Sequence, residues 1–296
     1  MTHPNRPEEM RGHLAMLVFA AVVAGSFSLG SLVANQIAPV AIIAVRFVLA
    51  SILVGGVAAI TVGISRSAFV APWRYMLLGG LFSVYFILMF EGLKTAPPVS
   101  SAAVFTLTPI MAAGFGWLLL RQVLTGRMAG ALAIGMVGAL WVIFRADIAA
   151  FLRFDVGRGE MIFFAGCVAH AFYAPLVRRL NRGEAAVVFT FGTLVGGSIA
   201  TVIYGWSTIV ATDWAGLAPT VWVTIAYTTV FATALSFWLV QYATLRLPSA
   251  KVMAYTYLTP SWVILWEIAL GHGVPSVLIL GGVALTVLAL WRLLAE

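Results

Sequence analysis

Ten apolar runs, each about as long as a membrane is thick, follow one another along this sequence. A helix needs about 20 apolar residues to cross a bilayer, and short polar, proline or glycine segments separate runs of about that length. They lie near residues 12–34, 40–63, 74–94, 98–120, 126–145, 159–178, 185–207, 217–244, 249–270 and 275–294. The predicted fold class is therefore an all-α membrane protein with ten transmembrane helices.

The composition excludes an ordinary soluble domain. Hydrophobic residues make up 62% of the chain and charged residues 9%, against about 45–50% and about 25% in soluble proteins. The opening "MTHPNRPEEMRGH" is too polar and too acidic for a signal or transit peptide, so we expect the first helix to be retained as an anchor. The single cysteine, Cys167, lies in an apolar run without a metal-binding motif, and we interpret it as a packing residue. No cofactor and no metal are expected.

The basic residues predict the orientation of the chain. The formal net charge is +7, but the arginines are dispersed in short connections, so a nucleic-acid partner is not expected. With the amino terminus in the cytoplasm, the inside segments would hold Arg6, Arg11, Arg66, Arg74, Arg121, Arg127, Arg178, Arg179, Arg182, Arg246 and Arg292. The outside segments would keep Arg145, Arg153 and Arg158, mixed with acidic residues. The positive-inside rule therefore predicts that both termini lie in the cytoplasm. The expected location is the cell (inner) membrane.

A faint internal repeat divides the chain into two halves. Leu-Thr-Pro occurs twice, and its prolines are separated by 260 − 109 = 151 residues in a chain of 296. Each half contains an odd number of spans, five, so the second half enters the membrane from the opposite side. The prediction is two inverted five-helix repeats, residues 1–150 and 151–296. In such transporters the substrate lies near the midplane between the repeats, and access alternates as the repeats rock.

These features resemble the drug/metabolite transporter superfamily, specifically its ten-helix EamA-type members and, less specifically, their aromatic amino acid exporters. The segment "APVAIIAVRF", with Pro39 and Arg46, is similar to the family's second-helix signature. The two Thr-Pro helices resemble the fourth and ninth helices, and the glycine-bearing runs 126–145 and 275–294 resemble the fifth and tenth. The family's frequent Gly-Glu pair is replaced by Arg121-Gln122 and Gly271-His272. The resemblance implies export of small metabolites and amino acids.

The ninth run carries the clearest candidate binding stripe. At 100° per residue, Lys251, Tyr255, Thr259, Trp262 and Trp266 lie within about 80° of helix azimuth. For Lys251 and Trp266, anchoring at the two membrane interfaces is an equally good interpretation. The hydroxyl and ring groups between them lie deeper, where facing lipid would be costly, and are predicted to line a cavity.

Other spans add candidates of two kinds. Ser28, Ser31 and Asn35 share a face of the first span, where close packing of small residues competes with substrate contact. His170 and Tyr173 lie one turn apart on the sixth span, where a helix–helix hydrogen bond is the alternative.

The third and eighth spans complete a candidate pocket that is aromatic and nearly uncharged. Their candidates are Tyr85, Phe86, Tyr227, Thr233, Trp238 and Gln241. Such a pocket suits a zwitterion with an apolar side chain or a lipophilic cation. Sugar phosphates and nucleotide sugars would need several convergent cations, and only Lys251 lies near the predicted path.

Charged residues near the ends of the helices admit two interpretations. Arg46 and Glu91 are expected at similar depth on consecutive helices, where they form either a structural ion pair or a gate. No Asp or Glu is predicted at mid-membrane, so the sequence does not reveal how transport is coupled.

Proline interrupts two predicted helices at equivalent positions. Pro109 and Pro260 cannot donate to the carbonyls of Phe105 and Thr256, and the hydroxyls of Thr108 and Thr259 are local candidates to compensate. The hypothesis is that both breaks act as hinges, with simple bending for packing as the alternative.

Other functions are less well supported by the sequence. An intramembrane enzyme would need a nucleophile with its base or a metal cluster, and neither motif occurs. A sensor or scaffold would carry long soluble segments, and a gated pore stays open as an alternative. We expect a monomeric carrier whose partners are a small-molecule substrate and the lipid bilayer.

Overall fold

The computed structural model describes residues 6–153 and 155–294, and helices dominate these residues. Nine helices in this part of the chain are long and apolar enough to cross a membrane. Their bounds are Arg6–Val33, Pro39–Thr61, Trp73–Gly92, Pro98–Leu120, Gly126–Ile143, Arg158–Leu180, Ala186–Ala211, Pro219–Thr244 and Val277–Leu294. Residues 249–269 form one more crossing, which is divided into short segments. The chain is thus a multi-pass membrane protein, and we number its spans first to tenth in chain order.

Local sequence sets the ends of these spans. Pro39, Pro98 and Pro219 occupy first-turn positions, where the missing N–H would have no helical partner. Thr125 caps the fifth span by accepting a hydrogen bond from the backbone N–H of Met128 at 3.1 Å. Gly183 lies within the connection between the sixth and seventh spans and has a φ of 98°, a backbone conformation that favours glycine. The predicted span bounds therefore agree with the structure to within a few residues, except that the first span begins at Arg6.

Three spans depart from a regular α-helix. The fourth consists of Pro98–Phe105 and Thr108–Leu120, and the ninth of Ser249–Ala254, a 3₁₀ segment Tyr255–Leu258 and Thr259–Ala269. The eighth contains a π-helical segment, Val230–Leu235, which the sequence analysis did not predict. The irregular segments of the fourth, eighth and ninth spans all contribute buried residues to the interior of the bundle.

The pattern of helix packing follows a two-fold relation between the halves. The third span packs on the sixth, and its counterpart, the eighth, packs on the first. The second packs on its counterpart, the seventh, and the fifth on its counterpart, the tenth. At the fifth–tenth contact, a Cβ added to Gly138 would lie 2.6 Å from the carbonyl oxygen of Gly282. The fold is therefore two inverted five-helix repeats, as predicted, packed against each other along most of their length.

The ten crossings put both ends of the described chain on one side of the membrane, which we call the terminal face. The other side is the opposite face. The division at residue 150/151 stays a prediction, and the outermost ends of the two predicted units, residues 1–5 and 295–296, lie outside the described residues. Between the fifth and sixth spans, on the opposite face, the short helix Ile148–Leu152 is capped by Asp147, whose carboxylate accepts from the backbone N–H of Ala149 at 2.7 Å.

Candidate functional site

A buried set of aromatic and polar side chains lies where the two halves meet. Tyr85 on the third span, His170 and Tyr173 on the sixth and Gln241 on the eighth are each at most 2% exposed. The ring centroids of Tyr85 and His170 are 4.5 Å apart. The structure thus brings together four of the residues predicted to bind substrate, drawn from both repeats.

Phenylalanine rings connect these residues into one body. Phe82 lies one turn before Phe86 on the third span, so both rings project from the same helix face. The centroid of the Phe82 ring is 4.0 Å from that of Tyr173 and 3.9 Å from that of Phe237. The interior is therefore largely aromatic, and its side-chain hydrogen bonds between spans form two clusters.

The first, the Gln241 cluster, consists of Gln241, Tyr173 and Thr193. The Nε2 of Gln241 donates to the Tyr173 hydroxyl at 2.7 Å and lies 3.2 Å from the Thr193 Oγ1. Gln241 is 244 − 241 = 3 residues before the end of its helix, so the cluster lies toward the terminal face. These direct bonds join the sixth, seventh and eighth spans through neutral groups.

The second, the Arg46 cluster, consists of Arg46, Thr233, Phe86 and Phe90. Arg46 is fully buried, and its Nε and Nη2 donate to the Thr233 Oγ1 at 3.2 and 2.8 Å. Its guanidinium carbon lies 4.4 Å from the centroid of the Phe86 ring and 5.6 Å from that of Phe90. The cluster joins the second, third and eighth spans on the side of the aromatic body nearer the opposite face.

The predicted ion pair between Arg46 and Glu91 is wrong. Glu91 accepts instead from Lys94 at 2.7 Å, three residues along the chain. Arg46 lies 46 − 39 = 7 residues into the second span, whereas Glu91 lies one residue before the end of the third, so their depths differ by about two turns. The gating role of these residues stays a prediction.

Several polar atoms in this buried interior have no hydrogen-bond partner. They are the Ser28 Oγ, the Arg46 Nη1, the Tyr85 hydroxyl, the His170 Nδ1 and the Gln241 Oε1. Ser31, by contrast, donates to the carbonyl of Ser28 at 2.8 Å. Buried polar groups are ordinarily hydrogen-bonded, so a concentration of orphaned ones requires an explanation. Contact with a ligand would supply the missing partners.

Three predicted binding residues lie away from this interior. Asn35 follows the first span, is exposed, and donates to the backbone carbonyl of Lys94 at 3.3 Å. Trp238 is 37% exposed and lines a groove of about 840 Å³ between the second and eighth spans, which also contains Tyr242. Trp262 is 40% exposed on the outside of the bundle. The cavity-lining prediction is therefore wrong for Trp262 in this conformation. Trp238 lines the groove instead of the interior, and substrate contact of Asn35 and Trp238 stays a prediction.

The error at Trp262 has a geometric cause. The predicted stripe assumed 100° per residue throughout, but residues Tyr255–Leu258 are 3₁₀-helical and advance by about 120° each. Four such residues rotate the remainder of the span by about 80°, which separates Trp262 from Tyr255, whereas Thr259 begins that remainder and rotates with Trp262. Tyr255 and Thr259 are buried, at 1% and 0% exposed. The stripe is therefore divided at the break, and only its middle part faces the interior.

The terminal face of the ninth span holds a contact that the sequence analysis missed. The Nδ1 of His13, on the first span, lies 2.9 Å from the Tyr255 hydroxyl. Lys251, one turn before Tyr255, is partly exposed and lines a groove of about 390 Å³ with Arg121 and Arg178. The position of His13 at the polar start of an apolar run was the only available signal. The contact ties the first span to the irregular part of the ninth.

The two Leu-Thr-Pro breaks are equivalent in position but different in hydrogen bonding. In the fourth span, the Thr108 hydroxyl donates to the Phe105 carbonyl, as predicted. In the ninth, the Thr259 hydroxyl has no partner, so that prediction is wrong. The carbonyl of Thr256 is satisfied instead by the backbone N–H of Thr259, because the 3₁₀ turn tightens the chain there. The hinge role of Pro109 and Pro260 stays a prediction.

No group of three or more His, Cys, Asp or Glu residues within residues 6–153 and 155–294 could hold a metal ion. The buried interior carries arginine, amide, hydroxyl, imidazole and aromatic groups. These groups bind and orient a small molecule by hydrogen bonds, charge and ring contacts.

Ten crossings in two inverted repeats, with an aromatic and polar interior between the halves, define the class of the protein as a membrane transporter. The chain belongs to the EamA-like transporter family of the drug/metabolite transporter superfamily. The family model matches residues 10–144 and 157–295.

Two individual comparisons agree with this assignment. The chain is 24% identical over 274 residues to the "Uncharacterized transporter YyaM" of Bacillus subtilis (strain 168), covering 92% of this chain and 90% of that one. A solved crystal structure aligns with a TM-score of 0.71 at 19% identity over 97% of both chains. The latter similarity shows the fold alone.

Proposed function

We propose that this protein is an inner-membrane carrier that exports small metabolites, in first place aromatic and other apolar amino acids, by alternating access. The observation that carries the proposal is the buried interior in which Tyr85, His170 and Tyr173 pack with Phe82 and Phe237. Aromatic rings accept an apolar side chain, and the nearby hydroxyl, imidazole and amide groups can orient its polar end. We further propose that the carrier acts as a monomer without enzymatic activity.

The positive charge of the buried Arg46 favours some of the proposed substrate classes over others. A fixed positive charge at Arg46 repels a lipophilic cation that enters the same interior. The same charge favours a zwitterion or an anion. Lipophilic cations therefore take a lower place than amino acids.

Phosphorylated metabolites, such as sugar phosphates and nucleotide sugars, are the second candidate. One observation favours them, namely that Arg121, Arg178 and Lys251 line a single groove on the terminal face. Three cations in one groove provide the charge that a phosphate group needs. This groove is separate from the aromatic interior.

Counterflow in proteoliposomes distinguishes these candidates. Vesicles preloaded with unlabelled phenylalanine or leucine should accumulate external labelled phenylalanine with saturation, as a carrier requires and an open pore does not. Excess tetraphenylphosphonium and glucose 6-phosphate, added separately, test the other two substrate classes. The amino-acid assignment is wrong if neither amino acid moves and labelled glucose 6-phosphate does.

Orientation has its own test. We propose that the terminal face is cytoplasmic, as the arginine distribution indicates. Reporter fusions to both termini should then register in the cytoplasm, whereas an exported carboxyl terminus would contradict this part of the proposal.

A further inference from the structure

Arg46 is a buried cation whose hydrogen bonding is incomplete. Its side chain is 0% exposed and lies seven residues into the second span, which corresponds to about 10 Å along the helix. The Nε and Nη2 atoms share one acceptor, the Thr233 Oγ1, and the Nη1 atom has no partner. A guanidinium can donate five N–H bonds, so much of its donor capacity is unused.

The surrounding groups do not neutralise its charge. Thr233 is a neutral acceptor, and Phe86 and Phe90 offer only the faces of their rings. Cation–π attraction offsets part of the cost of removing a guanidinium from water, but that cost is larger than two ring contacts supply. A buried charge of this kind ordinarily has an opposite charge beside it.

Within the described ranges, no carboxylate forms an ion pair with Arg46. Three acidic residues buried or partly buried near the ends of spans have other partners, which are Lys94 for Glu91, Ser100 for Glu160 and His272 for Glu267. The described chain therefore does not itself supply the anion that Arg46 requires.

We propose that Arg46 binds the carboxylate of the transported substrate. This inference rests on the proposed function and names the group by which the site recognises an amino acid. The Nη1 atom is the free donor, and an arginine presents two parallel N–H groups that match a carboxylate. The substrate side chain then lies against Phe86 and the neighbouring rings.

The π-helical segment of the eighth span connects this binding site to the second repeat. Its residue Thr233 accepts hydrogen bonds from Arg46, while Val230, Ala234 and Leu235 of the same segment line the groove between the second and eighth spans. Thr233 occupies the N–H of Nε and the neighbouring N–H of Nη2, so a carboxylate can accept from Nη1 and from the second N–H of Nη2 while Thr233 stays bound. Arg46 would then join the substrate to the second and eighth spans at once, and these spans belong to different repeats. Segments of π-helix are frequent at functional sites.

The test compares an acid with its amide in proteoliposomes. Wild-type protein should transport phenylalanine and should accept phenylalaninamide, which lacks the carboxylate, at least tenfold less well. Arg46→Gln should raise the KM for phenylalanine by about 30-fold, in the range expected for a lost charged hydrogen bond, and should leave phenylalaninamide little changed. Arg46→Lys keeps the positive charge but lacks the two parallel N–H groups, so its KM for phenylalanine should lie between those of wild type and Arg46→Gln. Arg127→Gln, at an exposed arginine, should match wild type.

Each outcome has a distinct meaning. If Arg46→Gln transports phenylalanine with a KM near that of wild type, the carboxylate proposal is overturned while the amino-acid carrier stands. An equal loss of acid and amide transport in Arg46→Gln also overturns it, since the residue would then act through structure. If wild-type protein moves neither compound, the proposed function fails and this inference fails with it. Thermal shift of each purified variant with phenylalanine gives a binding readout that does not depend on turnover.

Discussion

Among the arginines whose side chains the structure describes, Arg46 and Arg74 are almost completely buried, and their hydrogen-bonding surroundings differ. Arg74 is 1% exposed and donates to Glu184 at 2.7 Å and to the carbonyl of Leu180 at 2.7 Å. It also donates to the carbonyls of Ala71 and Ala68. Arg46 is equally buried but has only Thr233 as an acceptor. Burial alone therefore does not distinguish a structural charge from a functional one, whereas the set of hydrogen-bond partners does.

The position of each arginine explains the difference. Arg74 begins the third span at the terminal face, where the ends of neighbouring helices offer backbone carbonyls and a connection offers Glu184. Arg46 lies two turns inside the second span, where the helical carbonyls nearby are already occupied by helical N–H groups. Arg74 is thus a clamp between the third, sixth and seventh spans, and Arg46 is a charge held ready for a ligand.

The largest effect is expected from Arg74→Met. This change orphans several carbonyls and leaves Glu184 without its cation, so the free energy of unfolding should fall by about 3 kcal/mol. Thermal unfolding of the purified protein, followed by fluorescence, measures the change. Arg127→Met, at an exposed arginine, is the control and should unfold like wild type. A stability equal to that of wild type would show that the clamp is unimportant and would remove the contrast.

Arg46→Met should act in the opposite direction on stability. Removing an unneutralised buried charge should leave the free energy of unfolding unchanged or raise it by about 1–2 kcal/mol. The rate of phenylalanine counterflow should nevertheless fall by about 30-fold. The pair of measurements is decisive, because a structural role predicts that stability and transport fall together.

Variants of the two proline breaks test whether the fourth and ninth spans must bend for transport. Pro109→Ala and Pro260→Ala restore a backbone donor and should straighten the fourth and ninth spans. We expect counterflow to fall by about tenfold, equivalent to about 1.4 kcal/mol in the barrier, while each variant still purifies as a monodisperse species. Pro219→Ala, at the start of a span, is the matched control. Transport at the parent rate in both break variants would eliminate the hinge hypothesis.

The smallest expected effect is the pH dependence of the stability that the Arg74–Glu184 ion pair contributes. Burial alone would raise the pKa of Glu184, but hydrogen bonds from Arg74 and from the backbone N–H of Arg182 together lower it below the ordinary value. Because the folded-state pKa is below the unfolded one, this contribution to stability is full above about pH 4.5 and is lost as the pH falls through the folded-state pKa.

The expected result is a pH-dependent difference between wild type and Glu184→Gln. Their unfolding temperatures should differ by a constant amount from about pH 5 to 7, and the difference should shrink below about pH 4.5. The corresponding difference for Arg46→Met should not follow this curve, since no carboxylate pairs with Arg46 in the described chain. A Glu184→Gln difference that persists unchanged at about pH 3.5 would contradict the pairing argument.

The sequence predicted the candidate site in part. His170, Tyr173, Tyr85 and Gln241 were identified as polar groups in apolar runs, because lipid makes an outward-facing polar group costly. Trp238 and Trp262 were assigned to the same pocket by the same reasoning, but indole side chains also occur on lipid-facing surfaces. An aromatic residue in an apolar run therefore indicated less clearly than an amide or an imidazole whether its side chain faces the interior.

The class of fold followed from the sequence alone, because the length and spacing of apolar runs are set by the bilayer and not by contacts between helices. It also located both helix breaks, since Pro109 and Pro260 remove a donor wherever the helix lies. The partner of Arg46 was not predictable from the sequence, because Thr233 is 233 − 46 = 187 residues away and comes close through the packing of the two repeats. The rotation of the ninth span and the π-helical segment of the eighth also depend on that packing. Angular positions calculated for an ideal α-helix therefore could not predict these two features.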